Sequence, residues 1–390
     1  MRSNGGSDNC SNNSEGGGAL GRTESAASPD QATESPDHMS SSPEKIRIGV
    51  IGCGHWGPNH IRNFTHLPDA EVVAVADLNP ERLTIIQQQY HHLALYEDHR
   101  ALLARDDLDA VVISTPTRTH YAIAREALLA DKHVLCEKPL CHSVEEGDEL
   151  IALAEQRRRI LMVGHVFLFN NGILKLKDLI TSGEIGRLYY ITAKRTNLGP
   201  IRQDVNSVYD LASHDISILN FLLDALPERV SAVGRAFLQD GLEDVAFISL
   251  HYPNDVLANI HVSWLDPKKI RQITIVGDKK MVTWDDLSRI GPVQIYDNRI
   301  ISHPYYSDFG EFQLLTREGN VTIPHVHMEE PLKLQSQYFL TCIRTGHIRL
   351  CTAHQGVDVV RVIRAVEESL EHQGKPIEVD RSPTAHPRAS

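Results

Sequence analysis

Almost no large apolar side chain occurs between MRSNGGSDNC and MSSSPE, so residues 1–44 cannot bury enough surface to offset backbone entropy and read as a disordered tail. At Ile46 the pattern changes. IRIGVIG is a short apolar run closing on glycine, and HIRNFTHL follows with helical spacing. EVVAVAD (71–77), AVVIST (110–115) and HVLCEK (133–138) repeat the strand signature. Between them, NPERLTIIQQQY begins with Asn79 and Pro80, a helix N-terminus, and HYAIAREALLADK is a second helix. VEEGDELIALAEQRRR adds a helix with Leu150, Ile151 and Leu153 inward, before ILMVGH. Alternating strands and helices predict an α/β domain with a doubly wound parallel sheet over residues 45–165.

Beyond residue 165 the order changes. A helix (NGILKLKDLITSG), a strand (RLYYITAKR) and a helix (VYDLASHDISILNFLLDAL) precede RVSAVGRAFL, DVAFISLHY, VLANIHVSWL, KIRQITIVG and KMVTW. Short turns such as Pro253-Asn254-Asp255 predict an antiparallel meander, and the alternation in VLANIHVSWL fits a sheet with two differently covered faces. PLKLQSQYFLTCIRTG and GVDVVRVIRAVEESLEHQG close an α+β domain over residues 166–378, leaving 379–390 as a polar tail.

Composition agrees with two domains: 390 residues, 41% hydrophobic. The formal charge of −12 divides into −5 for residues 1–44, with seven acids and two bases, and −7 for the rest. Nucleic acid and anionic membranes attract basic surfaces, so neither is an expected partner. No secretory h-region or membrane-length apolar run is visible, which makes the cytoplasm the expected compartment. Cys10, Cys53, Cys136, Cys141, Cys342 and Cys351 are scattered singly, as free thiols in a reducing compartment would be. Cys136 and Cys141 flank Lys138; a redox pair competes there with the commoner reading of small buried hydrophobes. His325 and His327, near Glu329 and Glu330, stand alone, and no metal site is expected.

The first chemistry lies in Gly52-Cys53-Gly54-His55-Trp56-Gly57, a G-x-G-x-x-G that follows a strand and opens a helix. The glycines allow a tight turn, close approach of backbone to a pyrophosphate, and helix–strand packing, with the helix N-terminus meeting phosphate charge. Asp77 closes the next strand, where an acid accepts from ribose hydroxyls and repels a 2′-phosphate, favouring NAD over NADP. Arg82 could serve NADP, or be a solvated helix charge. Thr115 and Pro116 end a strand where α/β sheets bind ligands; His120 follows as a helix-start or site residue.

In CEKPLC, Pro139 stiffens the backbone around Lys138 and aims its side chain, although a turn after a strand would use proline equally. Asp210 and His214 are four residues apart in DLASH, on one helical face, where an acid raises the imidazole pKa and orients the ring. Alone, that spacing is more often a helix-surface ion pair. KRTNLGPIRQDVN (194–206) is a polar segment whose Arg195, Asn197, Arg202 and Asp204 are either substrate ligands or solvated charges. His165 ends a strand at the domain junction and is either packing or site.

Together GCGHWG, STPTRTH, CEKP and DLASHD resemble the Gfo/Idh/MocA family of NAD(P)-dependent sugar and polyol oxidoreductases, over about residues 45–375. The resemblance implies a second domain with an open, predominantly antiparallel sheet, often buried in a homodimer or homotetramer. It places Glu137 and Lys138 at the cofactor and makes Lys138, Asp210 and His214 the catalytic trio: His214 takes the proton of a ring hydroxyl, Asp210 orients it, and Lys138 stabilises the oxygen. VGHVFLFNNGILKLKDLITSGEIG and NLGPIRQDVNSVYDLASHDISIL look closest to a subgroup acting on nucleotide-linked sugars, with Arg195 and Arg202 either meeting the diphosphate or pairing internally with Asp204 or Asp210. The alternatives are an inositol or polyol dehydrogenase and a nonenzymatic NAD-binding regulator. The tail and the cysteines beside Lys138 depart from the family pattern.

Overall fold

The structure, a computed structural model, describes residues 44–297, 299–301, 315–317 and 319–381. The expected tail of residues 1–44 lies outside this set except for Glu44, as do residues 382–390 of the C-terminal one.

Six strands, β1 (Ile46–Ile51), β2 (Ala70–Ala76), β3 (Ala94–Tyr96), β4 (Ala110–Ile113), β5 (His133–Glu137) and β6 (Leu161–Gly164), form a sheet in the order β3-β2-β1-β4-β5-β6. Every pairing is parallel. Ile48, Val50, Val112 and Val134 are wholly buried because helices cover both faces: α1 (Gly57–Thr65), α2 (Pro80–Gln89), α3 (His99–Leu103), α4 (His120–Leu129) and α5 (Val144–Arg157). Asn79 caps α2 by accepting from the Glu81 N–H, and Ser143 caps α5 by accepting from Glu146. Strand order reverses between β1 and β4, which opens a crevice at their carboxyl ends. β3 and α3 go beyond the expected elements. At three half-exposed residues and five residues, both are too short to display a period.

The second sheet contains β7 (Leu188–Leu198), β8 (Arg229–Arg235), β9 (Val245–Tyr252), β10 (Val256–Ser263), β11 (Leu265–Gly277), β12 (Met281–Asp285) and β13 (Val293–Tyr296). β14 (Arg299–Ile301) and β15 (Leu315–Arg317) pair separately, while β16 (Val321–Thr322) and β17 (Ile377–Glu378) close the two edges of the large sheet. Its order is β16-β13-β12-β11-β7-β10-β9-β8-β17. The expected meander holds from β8 to β10 and from β11 to β13. It fails at β7, which inserts between β10 and β11 and runs parallel to β10. Turn residues fix hairpin neighbours, but β7 is separated from the later strands by a helix, so no local signal states where it enters.

One face of this sheet is covered by helices including α6 (Asn171–Thr181) and α7 (Ser213–Leu223); the other leaves Tyr190, Phe247 and Leu257 more than 40% exposed. α8 (Pro331–Thr345) packs on α1, where Phe64 and Phe339 meet edge to face at 6.4 Å. α9 (Ala353–Glu371) lies against α5, β6 and β8. These closing helices therefore join the two sheets into one packed body. The polar tail starts later than residue 379: Val379 is buried and donates its N–H to Glu228 O at 2.9 Å, and Asp380 accepts from Arg361 at 3.2 Å.

Candidate functional site

At the carboxyl end of β1 the chain turns through Gly52 with φ +96°, and a Cβ there would stand 2.7 Å from the backbone of Ser114. A Cβ on Gly57 would lie 2.0 Å from the Gly52 carbonyl oxygen, so the start of α1 packs on the turn only without one. Gly54 differs: its nearest neighbour would be an Arg82 nitrogen at 3.7 Å, and its backbone faces a cavity. Trp56 offers no side-chain cap to α1, so the first N–H groups of the helix keep their capacity for an anion. The loop fits a dinucleotide pyrophosphate: two glycines close the turn and the middle one admits a ligand.

Asp77 ends β2 beside this loop. It accepts from the Cys53 N–H at 2.6 Å and the Asn79 N–H at 2.8 Å, with Arg82 3.5 Å away. Arg82 is thus an ion-pair partner of Asp77 and more than a solvated helix charge. Burial pushes the Cys53 thiol up to about 12, with Asp77 adding to the effect, which leaves it protonated and inert. His55, Trp56, Thr115 and Pro116 line the same cavity. His120 lines it as well and braces its floor, one ring nitrogen 2.8 Å from Thr115 O and the other 2.8 Å from Pro139 O.

β5 delivers Glu137 and Lys138 to the crevice. Lys138 is 7% exposed and donates from Nζ to the backbone oxygen of Asp210 at 2.6 Å, with the Asp210 carboxylate at 3.6 Å. Burial pulls its ammonium below the ordinary range, against Asp210 and Glu137, which would raise it. Burial raises the Asp210 carboxyl, but Lys138, Arg202 and a bond from Trp264 Nε1 at 3.2 Å outweigh it and hold Asp210 ionised.

Asp210 and His214 do not form the expected pair. Residues Val208–Ala212 are a π-helical turn, whose wider winding rotates side chains away from α-helical register, and the Asp210 carboxylate turns to Lys138, Arg202 and Trp264. His214 packs edge to face on Phe167 at 5.0 Å between ring centroids. Its pKa moves down, opposite to the expected direction, because burial comes first and Lys138 and Arg195 add positive charge. The imidazole is neutral, its Nδ1 is buried without a partner, and Nε2 is the nitrogen left to reach a ligand. His165 lies behind the cavity, 1% exposed, with both ring nitrogens unpartnered and its pKa lowered to about 4 by burial.

The polar segment 194–206 divides into strand and loop. Arg195, on β7, is buried in a bidentate pair with Asp215, both bonds 2.9 Å, and its guanidinium lies 4.3 Å from the Phe167 ring centroid. Arg202 pairs with both oxygens of Asp204 and reaches Asp210 at 3.4 Å. Asn197 donates to the Gly199 carbonyl. These side chains border the cavity, but the two arginines already hold carboxylates. Arg118 and Lys269 are exposed on its wall, and neither has an ion-pair partner among the described residues. Sequence reasoning did not single out Arg118, Lys269, Phe167 or His60; isolated basic and aromatic residues carry no spacing signal.

The cavity runs from the glycine loop to Lys138 and His214 and encloses about 2150 Å³. Such an arrangement holds an extended cofactor along the sheet's carboxyl edge and a second molecule against β7. Among the described residues no group of three metal-ligating side chains occurs, and no helix is long and apolar enough to cross a membrane.

Comparison with known proteins agrees with this geometry. The family description "Oxidoreductase family, NAD-binding Rossmann fold" matches residues 46–165, and "GFO/IDH/MocA C-terminal domain" matches residues 173–283. UDP-N-acetylglucosamine 3-dehydrogenase of Acidithiobacillus ferrooxidans is 32% identical over 246 residues, 62% of this chain and 75% of that one. Myo-inositol 2-dehydrogenase of Thermotoga maritima is 28% identical over 225 residues, 55% of this chain and 67% of that one. The solved structure of the Acidithiobacillus enzyme superposes with a TM-score of 0.70 at 26% identity, covering 84% of this chain and 98% of that one. The chain belongs to the GFO/IDH/MocA family of oxidoreductases and carries its NAD-binding Rossmann domain.

Proposed function

We propose that the protein exchanges hydride between a secondary ring hydroxyl of a sugar, in its nucleotide-linked form, and NAD. The observation that carries this reading is the convergence of Lys138 Nζ and the neutral His214 ring on one cavity that begins at the glycine loop. Bound along that loop, the nicotinamide supplies the hydride acceptor or donor. Lys138 donates a hydrogen bond to the reacting oxygen and stabilises its developing charge; losing such a donor costs about 3 kcal/mol of barrier. His214 serves as the general base for the hydroxyl proton, a role its neutral ring suits. Asp210 acts on Lys138, supplying its counter-charge and a carbonyl acceptor. Glycines 52, 54 and 57 hold the pyrophosphate and Asp77 the adenosine ribose, which disfavours NADP.

Nucleotide linkage is supported by the 32% identical UDP-N-acetylglucosamine 3-dehydrogenase and by Arg118 and Lys269, exposed cations on the cavity wall outside the ion pairs of the described residues. They take the diphosphate role first given to Arg195 and Arg202. A free cyclic polyol is the second reading, favoured by the commitment of both arginines to carboxylates. The exposed sheet face at Tyr190, Phe247 and Leu257 supports assembly into a homo-oligomer. NADH formation followed with UDP-sugars, free sugars and inositols separates the readings: Lys269→Ala weakens only the nucleotide sugars if linkage matters. Equal turnover of free polyols, unmoved by that substitution, selects the polyol reading.

A further inference from the structure

α1 turns one histidine inward. His60, three residues past Gly57, is fully buried, and its Nε2 lies 2.9 Å from Oε1 of Glu137, the last residue of β5. The other carboxylate oxygen accepts the backbone N–H of Lys138 at 3.3 Å. Room for that carboxylate comes from β6: a Cβ on Gly164 would stand 3.1 Å from both Cα and Oε2 of Glu137. Glu137 is thus a buried acid inserted between a histidine on one element and the lysine that follows it at the end of β5.

A carboxylate in such a place stays charged only while donors and cations hold it; deprived of them it takes a proton. His60 bonds through Nε2 alone, and its Nδ1 is buried with no partner. A doubly protonated ring would bury an N–H with no acceptor, so the network assigns a neutral ring with its proton on Nε2, donating to Glu137. The pair then carries a single negative charge. Lys138 is faced by Asp210 from the π-helical turn, Arg202 from the loop after β7, Arg195 from β7, His165 after β6 and His214 from α7. Glu137 is faced by His60 from α1, His120 from α4, His165 after β6 and Lys138 itself. Two anions, Asp210 and Glu137, therefore oppose two guanidinium groups around one ammonium.

We propose that His60 is a positioning residue for Lys138: by donating from Nε2 it keeps Glu137 ionised and fixed, and Glu137 anchors the backbone of Lys138 and balances its charge. The inference rests on the reading of Lys138 as the group that meets the substrate oxygen. It extends the catalytic machinery across the β5–α1 contact to a residue that touches neither substrate nor cofactor cavity.

The test is titration of the Lys138 ammonium by NMR of the full chain with ¹³C-labelled lysine, the resonance being assigned with Lys138→Met. Neither cofactor nor substrate is needed. His60→Leu and Glu137→Gln should each lower the midpoint by about one pH unit, as expected for loss of one nearby opposite charge. The double variant should shift it no further, because both changes remove the same charge. His60→Gln, whose amide N–H can stand where Nε2 stands, should keep the starting midpoint, and kcat should fall in the same order as the midpoint with KM unchanged. An unmoved midpoint in Glu137→Gln, or in a folded His60→Leu, overturns the inference, as does failure of glutamine to rescue. The reading beneath it is judged apart. If the midpoint shifts while Lys138→Met turns over normally, the coupling stands and the catalytic role of Lys138 falls.

Discussion

Lys138 illustrates how a charge is kept available in a buried place. Its Nζ is held by a carbonyl oxygen at 2.6 Å and a carboxylate at 3.6 Å, and both come from Asp210. Removing the amine while keeping the stem should leave the glycine loop undisturbed. Lys138→Met is expected to reduce kcat by about 10²-fold or more, with the NADH dissociation constant within about twofold of its starting value. Stopped-flow turnover and NADH fluorescence measure the two quantities. The buried histidines give a second residue-scale consequence. His165 is held at about 4 in the folded chain against its ordinary 6.5, so the unfolded chain binds a proton between those values that the folded one refuses. Stability from this residue is complete above pH 6.5 and is lost as pH falls towards 4, on the order of 3 kcal/mol. Denaturant melts across that range should show a shallower slope for His165→Leu; the remainder includes His133, also held at about 4.

At the scale of elements, the strand–glycine–helix unit was legible because each glycine answers a separate steric demand and the demands are local. So was Asp77 at the end of β2. The partner of Asp210 was not legible: i, i+4 reasoning presumes an α-helix, and a π-helical turn at Val208–Ala212 sends the carboxylate to Lys138 and Trp264. The same limit hid the commitment of Arg195 to Asp215, twenty residues away on another element. β7 was legible as a strand along the chain, but its place in the sheet was not, and the expected meander breaks between β10 and β11, where β7 inserts, for no turn residue records that insertion. A prediction belongs to the β1–β2 edge. Asp77→Ser removes the negative charge and frees Arg82, now 3.5 Å from that carboxylate, for a 2′-phosphate. Parallel titrations with NADH and NADPH should show preference for NADH narrowing by about tenfold or more, chiefly through tighter NADPH. Equal affinities in the unaltered protein would remove the argument.

α8 and α9 join the two sheets, and Pro331 and Leu332 at the start of α8 line the cleft between cofactor loop and β7 themselves. One face of the nine-stranded sheet carries Tyr190, Phe247 and Leu257, each 43–47% exposed. We propose that a second copy of the chain covers this face, so multi-angle light scattering is expected to give a dimer or larger assembly. Phe247→Asp should shift it towards monomer while leaving NADH binding intact. The central claim, that hydride passes between a ring carbon and nicotinamide under Lys138 and His214, is tested most directly with a sugar deuterated at the oxidised carbon. Mass spectrometry of the reduced cofactor should find deuterium in it with the unaltered protein, at a rate about 10²-fold lower in Lys138→Met and in His214→Asn. Absence of deuterium from the cofactor with every ring-labelled nucleotide sugar and polyol supplied, in protein that binds NADH, would contradict the account.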